Sequence, residues 1–167
     1  MRQRIKKEKE DDVYFMHKAL QQARLAAQRR EVPVGAVLVA GSQVIARGYN
    51  QPIKNCDPTA HAEIVAMRKA ARKIRNYRLE GMILYVTVEP CPMCLGAIIQ
   101  ARIKRLVYGT EDPKSGAVVS RLKFDPQKAN HRLKISAGIC QLECGQLLKD
   151  FFQEKRLTSK TKARSKD

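Results

Sequence analysis

One imidazole, two thiols and two carboxylates stand in two short motifs of this 167-residue chain, Pro58-Thr59-Ala60-His61-Ala62-Glu63 and Glu89-Pro90-Cys91-Pro92-Met93-Cys94. His61, Cys91 and Cys94 are three ligands of the kind zinc takes, and a tetrahedral ion held by three side chains keeps one position for water. Glu63 is not needed as a ligand. Standing two residues beyond the imidazole, it is suited to carry protons to and from that water. The chemistry expected of the set is metal-assisted hydrolysis.

Neither motif specifies this chemistry by itself. A His-x-Glu triplet is often a surface or capping feature, and a Cys-x-x-Cys pair also serves as a redox couple or as half of a structural zinc site. A structural site wants four closed ligands, however, and the remaining thiols, Cys56, Cys140 and Cys144, form no second Cys-x-x-Cys pair. The two motifs in this order therefore favour an open, catalytic site with Glu63 as its base.

Two helix starts are expected to aim these groups at one point. Asp57 reads as an N-cap with Pro58 at the first helical position, which puts His61 and Glu63 in or next to a first turn. Deeper in a helix, residues two apart diverge by roughly 200° and do not converge on one water. Cys91 reads as the cap of a second helix, with Pro92 first and Cys94 on the same side. The positive end of that helix dipole favours the thiolate form that binds metal.

Length and composition describe a single domain able to bury a core. No apolar run has membrane-spanning length and the charged N-terminus is unlike a signal peptide, so a cytoplasmic location without membrane association is expected. Five cysteines suit a reducing compartment better than a disulfide framework. The formal charge is +17, of which residues 1–10 hold +3 and residues 153–167 hold +4, leaving +10 on the body. A basic body, as opposed to basic tails alone, points to a polyanionic partner such as nucleic acid.

Residues 1–10 are charged and aperiodic, and are expected to form an extension that frays before the first helix. Val13, Met16, Leu20, Ala23 and Ala27 then mark an amphipathic helix ending near Arg30, with His17 off its apolar stripe. Gly35 to Val39 and Val44 to Ala46 read as an antiparallel hairpin. The run Ile83 to Val88 is the clearest strand, followed by a helix from Pro92 to about Ala101 and a strand from Arg105 to Tyr108. This βαβ unit places the cysteines at the carboxyl end of its first strand, the usual ligand-binding edge. Glu111 to Gly116 reads as a loop leaving the same edge, Lys134 to Ser136 as a short strand, and Leu142 to Phe152 as a final helix with Cys140 and Cys144 on it. The domain is taken as residues 11–157, with a basic, disordered tail over residues 158–167.

With these motifs in place the chain resembles the cytidine-deaminase superfamily and, within it, the bacterial tRNA-specific adenosine deaminases. The resemblance runs from about Val13 to Arg156 and includes Val32 to Ala36, Asn50 with Asp57 to Glu63, the cysteine motif, Gly109 to Gly116, Asn130-His131-Arg132 and Asp150-Phe151-Phe152. Thr110, Glu111 and residues 121–128 are less like the family. The resemblance implies an α/β fold, a three-layer α/β/α sandwich on a central mixed sheet of about five strands. It implies hydrolytic deamination of adenosine to inosine at the wobble (first anticodon) position of tRNA, by a homodimer with one zinc per subunit. By position, His61, Cys91 and Cys94 hold the metal, Glu63 shuttles the proton and Asn50 contacts the base. Asp112, Lys114, Ser115, Phe152 and Arg156 fall where the family meets the anticodon stem-loop. The nearest rival is a deaminase of a free base or nucleoside, of guanine or cytosine type, and a more distant one is a nucleic-acid-binding module in which zinc only staples the fold.

Overall fold

Alternation along the central strands fixes the layers, because successive side chains of a strand point to opposite faces. The computed structural model describes residues 2–125 and 128–164. Its strands are β1 (Gly35–Ala40), β2 (Gln43–Tyr49), β3 (Ile83–Val88), β4 (Arg105–Thr110) and β5 (Lys134–Ser136), in the order β2-β1-β3-β4-β5. β1 is antiparallel to β2 and β3, whereas β3, β4 and β5 run parallel, so the sheet is mixed.

Val37, Val39, Tyr85 and Val107 face one side, packed against Phe15, Met16, Ala19 and Leu20 of α1 (Arg2–Gln28) and Cys144 of α5 (Gln141–Arg164). Ala36, Leu38, Leu84, Val86, Leu106 and Tyr108 face the other. They meet Ile64, Met67 and Ala70 of α3 (Ala62–Ile74) and Leu95 and Ile98 of α4 (Pro92–Gln100). Fully buried leucines such as Leu38, Leu84 and Leu106 each contribute roughly 1.5–3 kcal/mol through removal from water. The three-layer α/β/α sandwich on a five-stranded mixed sheet is as the family resemblance implies. A one-turn helix, α2 (Pro52–Asn55), was not expected from the sequence. Its first N–H groups are satisfied by buried Glu31, which accepts from Lys54 at 2.8 Å and from Ile53 at 3.4 Å.

Three boundaries differ from expectation. α1 already begins at Arg2, so residues 2–10 continue the helix where fraying was expected. Lys, Arg and Glu are good helix formers, and Glu8 pairs with Arg105 at 3.1 Å one turn before buried Asp12 takes the same guanidinium at 2.7 Å. Within α1 the buried face is led by Phe15, Met16 and Ala19, while Val13 is 41% exposed. At the other end α5 runs to Arg164, so the tail expected to be disordered from Thr158 is helical that far, and Ser165 to Asp167 lie outside the described residues. Straight-chain residues again carry the helix, and the Thr158 hydroxyl donates back to the Glu154 carbonyl at 2.6 Å. Cys140 precedes α5 in the left-handed region at φ 54°, and only Cys144 is on the helix.

Candidate metal centre and catalytic carboxylate

The turn between α2 and α3 is built by Asp57, though not as the helix cap its sequence suggested. Its Oδ1 accepts from the backbone N–H of Thr59 at 2.8 Å and from the Thr59 hydroxyl at 2.7 Å. These bonds and Arg68 hold the Asp57 carboxyl below the usual carboxylate range. With Asp57 spent on that turn, the helix starts later and His61 is itself the N-cap, at φ −71° and ψ 156°. The first N–H of α3, that of Ala62, is satisfied from afar by Oδ1 of buried Asn50 at 2.8 Å. Gly48 lets β2 approach this helix start closely: a Cβ there would lie 2.2 Å from the Ala62 carbonyl oxygen.

Cys91 is the N-cap of α4, Pro92 opens it and buried Cys94 sits in its first turn, as the spacing indicates. The two helix starts meet. His61 Nδ1 lies 3.6 Å from Cys91 Sγ and 3.5 Å from Cys94 Sγ, and the ligand atoms of all three residues fall within 4.8 Å of one another. One imidazole nitrogen and two sulfurs, one from a thiol prone to ionise, form a donor set that fits zinc, and among the described residues no fourth ligand joins the cluster. Donation from the Cys94 thiol and from His61 holds the Cys91 thiol down to about 4, so the site favours a thiolate. That donation and burial push Cys94 up. The hydrogen bond with Cys91 raises His61.

Glu63, in the first turn of α3, is 3% exposed. Burial pushes its carboxyl up to about 7, against the pull of the nearby His61 imidazole. A buried carboxyl with raised proton affinity, beside a metal-type cluster, is the arrangement expected of a group that both accepts and returns a proton.

Glu89 is the residue whose part the sequence did not disclose. It is buried, yet Oε1 accepts from the N–H groups of Val118 at 2.8 Å, Val119 at 2.7 Å and Ser120 at 3.1 Å. Oε2 accepts from the N–H of Asp112 at 3.0 Å and from the Ser120 hydroxyl. Burial pushes the Glu89 carboxyl up, but these bonds outweigh it and hold it below its ordinary value. Only its position next to the Pro-Cys pair hinted at this, since its donors lie 23 to 31 residues away.

The loop that Glu89 fastens carries Asp112, Lys114 and Ser115. Asp112 folds the loop on itself, accepting from the N–H groups of Lys114 at 2.9 Å and Ser115 at 3.3 Å and from the Ser115 hydroxyl at 2.5 Å. Lys114 and Ser115 are exposed. Phe152 and Arg156, also exposed, lie on α5, in the helical layer across the sheet from α3 and α4. His17 is exposed on α1 and meets Glu143 at 3.3 Å, with Cys140 nearby.

A family model described as MafB19-like deaminase matches residues 10–156. The chain is 50% identical over 149 residues to a tRNA-specific adenosine deaminase of Haemophilus influenzae, covering 88% of this chain and 86% of that protein. It is 48% identical over 145 residues to the Agrobacterium fabrum protein of the same name, covering 86% and 95%. A solved structure from a study of A-to-I editing by tRNA:A34 deaminases at the wobble position of transfer RNA matches with a TM-score of 0.77 and 47% identity, over 81% of this chain and 99% of that one. By motif, fold and similarity along nearly its whole length, the chain belongs to the MafB19-like deaminases and, among them, to the family of tRNA-specific adenosine deaminases.

Proposed function

We propose that the protein deaminates adenosine at the wobble position of a tRNA anticodon, with water and adenosine giving inosine and ammonia. The observation that carries the reading is the convergence of His61, Cys91 and Cys94 next to the buried carboxyl of Glu63. A zinc ion held by those three side chains would supply Lewis-acid activation of water at neutral pH.

Glu63 takes a proton from the attacking water and delivers it to N1 of the adenine, which makes C6 electrophilic. As the oxygen bonds to C6, the ring carbon becomes tetrahedral. Glu63 then takes the remaining proton from the oxygen on C6 and passes it to the exocyclic nitrogen; the C6–N bond breaks, ammonia leaves, and the C6 carbonyl of inosine forms. One carboxyl serves both transfers because N1 and the amino nitrogen are both bonded to C6. Asn50 uses its oxygen to hold the start of α3, and its amide N–H groups are assigned to the purine.

An adenine in a loop can be turned outward at modest cost, unlike one in a paired stem. In this reading Lys114 and Arg156 meet phosphates, Phe152 stacks on a loop base, and Asp112 with Ser115 shapes the loop and accepts a ribose 2′-hydroxyl. The working unit is a cytoplasmic homodimer with one zinc per subunit, and residues 11–157 form its catalytic domain. Support for the dimer and for these RNA contacts is the family resemblance and the basic body. The test is incubation with a tRNA transcript bearing adenosine at the first anticodon position, beside free adenosine, guanine and cytosine. Inosine in the transcript and none from free nucleoside is the expected result; turnover of free bases with an inert transcript would install the rival reading.

A further inference from the structure

A cavity of about 450 Å³ opens where Arg78, Arg102, Lys104 and Arg132 gather with His131 and a single carboxylate, Glu80. It lies among the turns that lead into β3, β4 and β5. Because these strands run parallel, the cavity occupies their amino ends, whereas Cys91 and Cys94 follow the carboxyl end of β3. Six-residue strands at ~3.3 Å per residue put roughly 20 Å of sheet between the two sites.

The cavity is prebuilt. Leu79 donates its N–H to the Ala101 carbonyl at 2.7 Å, Lys104 to Met82 at 3.0 Å, and Lys134 to Lys104 at 3.2 Å, which ties the three turns to one another. Arg102 is held in the left-handed region at φ 59°, and its Nη1 donates to the Asn130 carbonyl at 2.8 Å. His131 Nε2 lies 2.7 Å from the Ile103 carbonyl, an acceptor, so that nitrogen carries a proton.

Its charge is not balanced from within. Among the described residues Arg105 pairs with Glu8 and Asp12, and Arg68 with Asp57, but none of the four cations of the cavity forms an ion pair. Four positive groups against one negative leave +3 in one basin. Self-repulsion of that kind weakens the compact state and serves no packing purpose, so the basin is suited to an external anion. Its cations are spread over three turns, which suits successive phosphates of a chain better than one small ion.

We infer that this basin is a second RNA-binding site, taking phosphodiester groups of the stem that lies beyond the nucleotides at the metal centre. The inference rests on the proposed RNA substrate. With roughly 20 Å between the sites, a hairpin holding only the anticodon loop and a short stem does not reach both, whereas a whole tRNA does.

The test compares both RNAs, by fluorescence anisotropy over a range of salt concentrations, on the wild type and on the double variant Arg78→Gln/Lys104→Gln. Both side chains are exposed, and thermal unfolding and zinc content are expected to stay at wild-type values. The variant should bind the tRNA roughly ten-fold more weakly, with the slope of log affinity against log salt reduced by about two. Affinity for the short hairpin, and its rate of deamination, should not change. Unchanged tRNA affinity and slope, or equal losses for both RNAs, would overturn the inference, as would displacement by inorganic phosphate alone with no preference for the longer RNA. Binding is read without turnover, so a failure to form inosine would count against the proposed activity and leave this comparison interpretable.

Discussion

The backbone N–H of Asp112 donates to Oε2 of Glu89 at 3.0 Å, across 23 residues of sequence. That bond belongs to a set in which the Glu89 carboxylate gathers the loop of residues 112–120 against the turn that presents Cys91. The turn that presents Cys91 and the loop of residues 112–120 are therefore held as one body. Glu89→Gln keeps the shape but turns an amide N–H2 toward backbone donors, which should cost roughly 1–3 kcal/mol. Amide exchange at Val118, Val119 and Ser120 should accelerate and KM for RNA should rise while zinc is retained. Unaltered exchange in the loop would show that something else orders it. Gly116→Ala should act alike, because a Cβ there would lie 2.3 Å from Oε2 of Glu89.

The same carboxylate gives a signed pH dependence. Its folded value lies below the ordinary 4.5, so the contribution to stability is complete above that pH and is lost as pH falls through the lower folded value. The stability difference between wild type and Glu89→Gln should thus be level from neutrality down to about pH 5 and shrink below it. Urea titrations across that range provide the measurement, and a difference that widens in acid contradicts the assignment.

Asn50 combines two duties that substitution can separate. Asn50→Ala removes the acceptor for the Ala62 N–H and should cost about 1 kcal/mol, the usual value of a lost helix cap. Asn50→Asp retains an oxygen acceptor but loses the N–H2 assigned to the base. It should unfold near the wild-type denaturant midpoint yet deaminate RNA poorly. Full activity in Asn50→Asp would remove the base contact from the mechanism.

Metal content checks the ligand set. Cys91→Ala leaves His61 and Cys94 alone at the site and should lose most of its zinc, since two ligands hold the ion poorly. Elemental analysis after dialysis decides this; full occupancy in the variant would mean that the ion is held elsewhere. His17→Ala, which alters the grouping of exposed His17 and Glu143 with half-buried Cys140, should leave both zinc content and activity intact.

Much of this was legible in the chain because local rules and tertiary packing agreed. Cys91 followed by Pro92 marks a helix start, Ile83 to Val88 is β-branched and apolar, and together they announce the βαβ unit and the edge at which it works. Asp57 misled because its carboxylate serves Thr59 and not a helix, which moved the cap to His61. The termini differ for the opposite reason: their charge suggests disorder, whereas Glu8 has Arg105 as its partner. Glu89 was invisible because its importance lies in the N–H groups of a distant loop, and nothing in one-dimensional spacing marks such a hub.

In the proposed reaction the buried carboxyl of Glu63 moves the protons at a site built by His61, Cys91 and Cys94. Single-turnover deamination of the tRNA transcript by Glu63→Ala, with zinc content and RNA affinity measured on the same preparation, tests it most directly. The rate should fall by on the order of 10² to 10⁴ with zinc and RNA affinity retained. Near-normal turnover with the metal in place would contradict it.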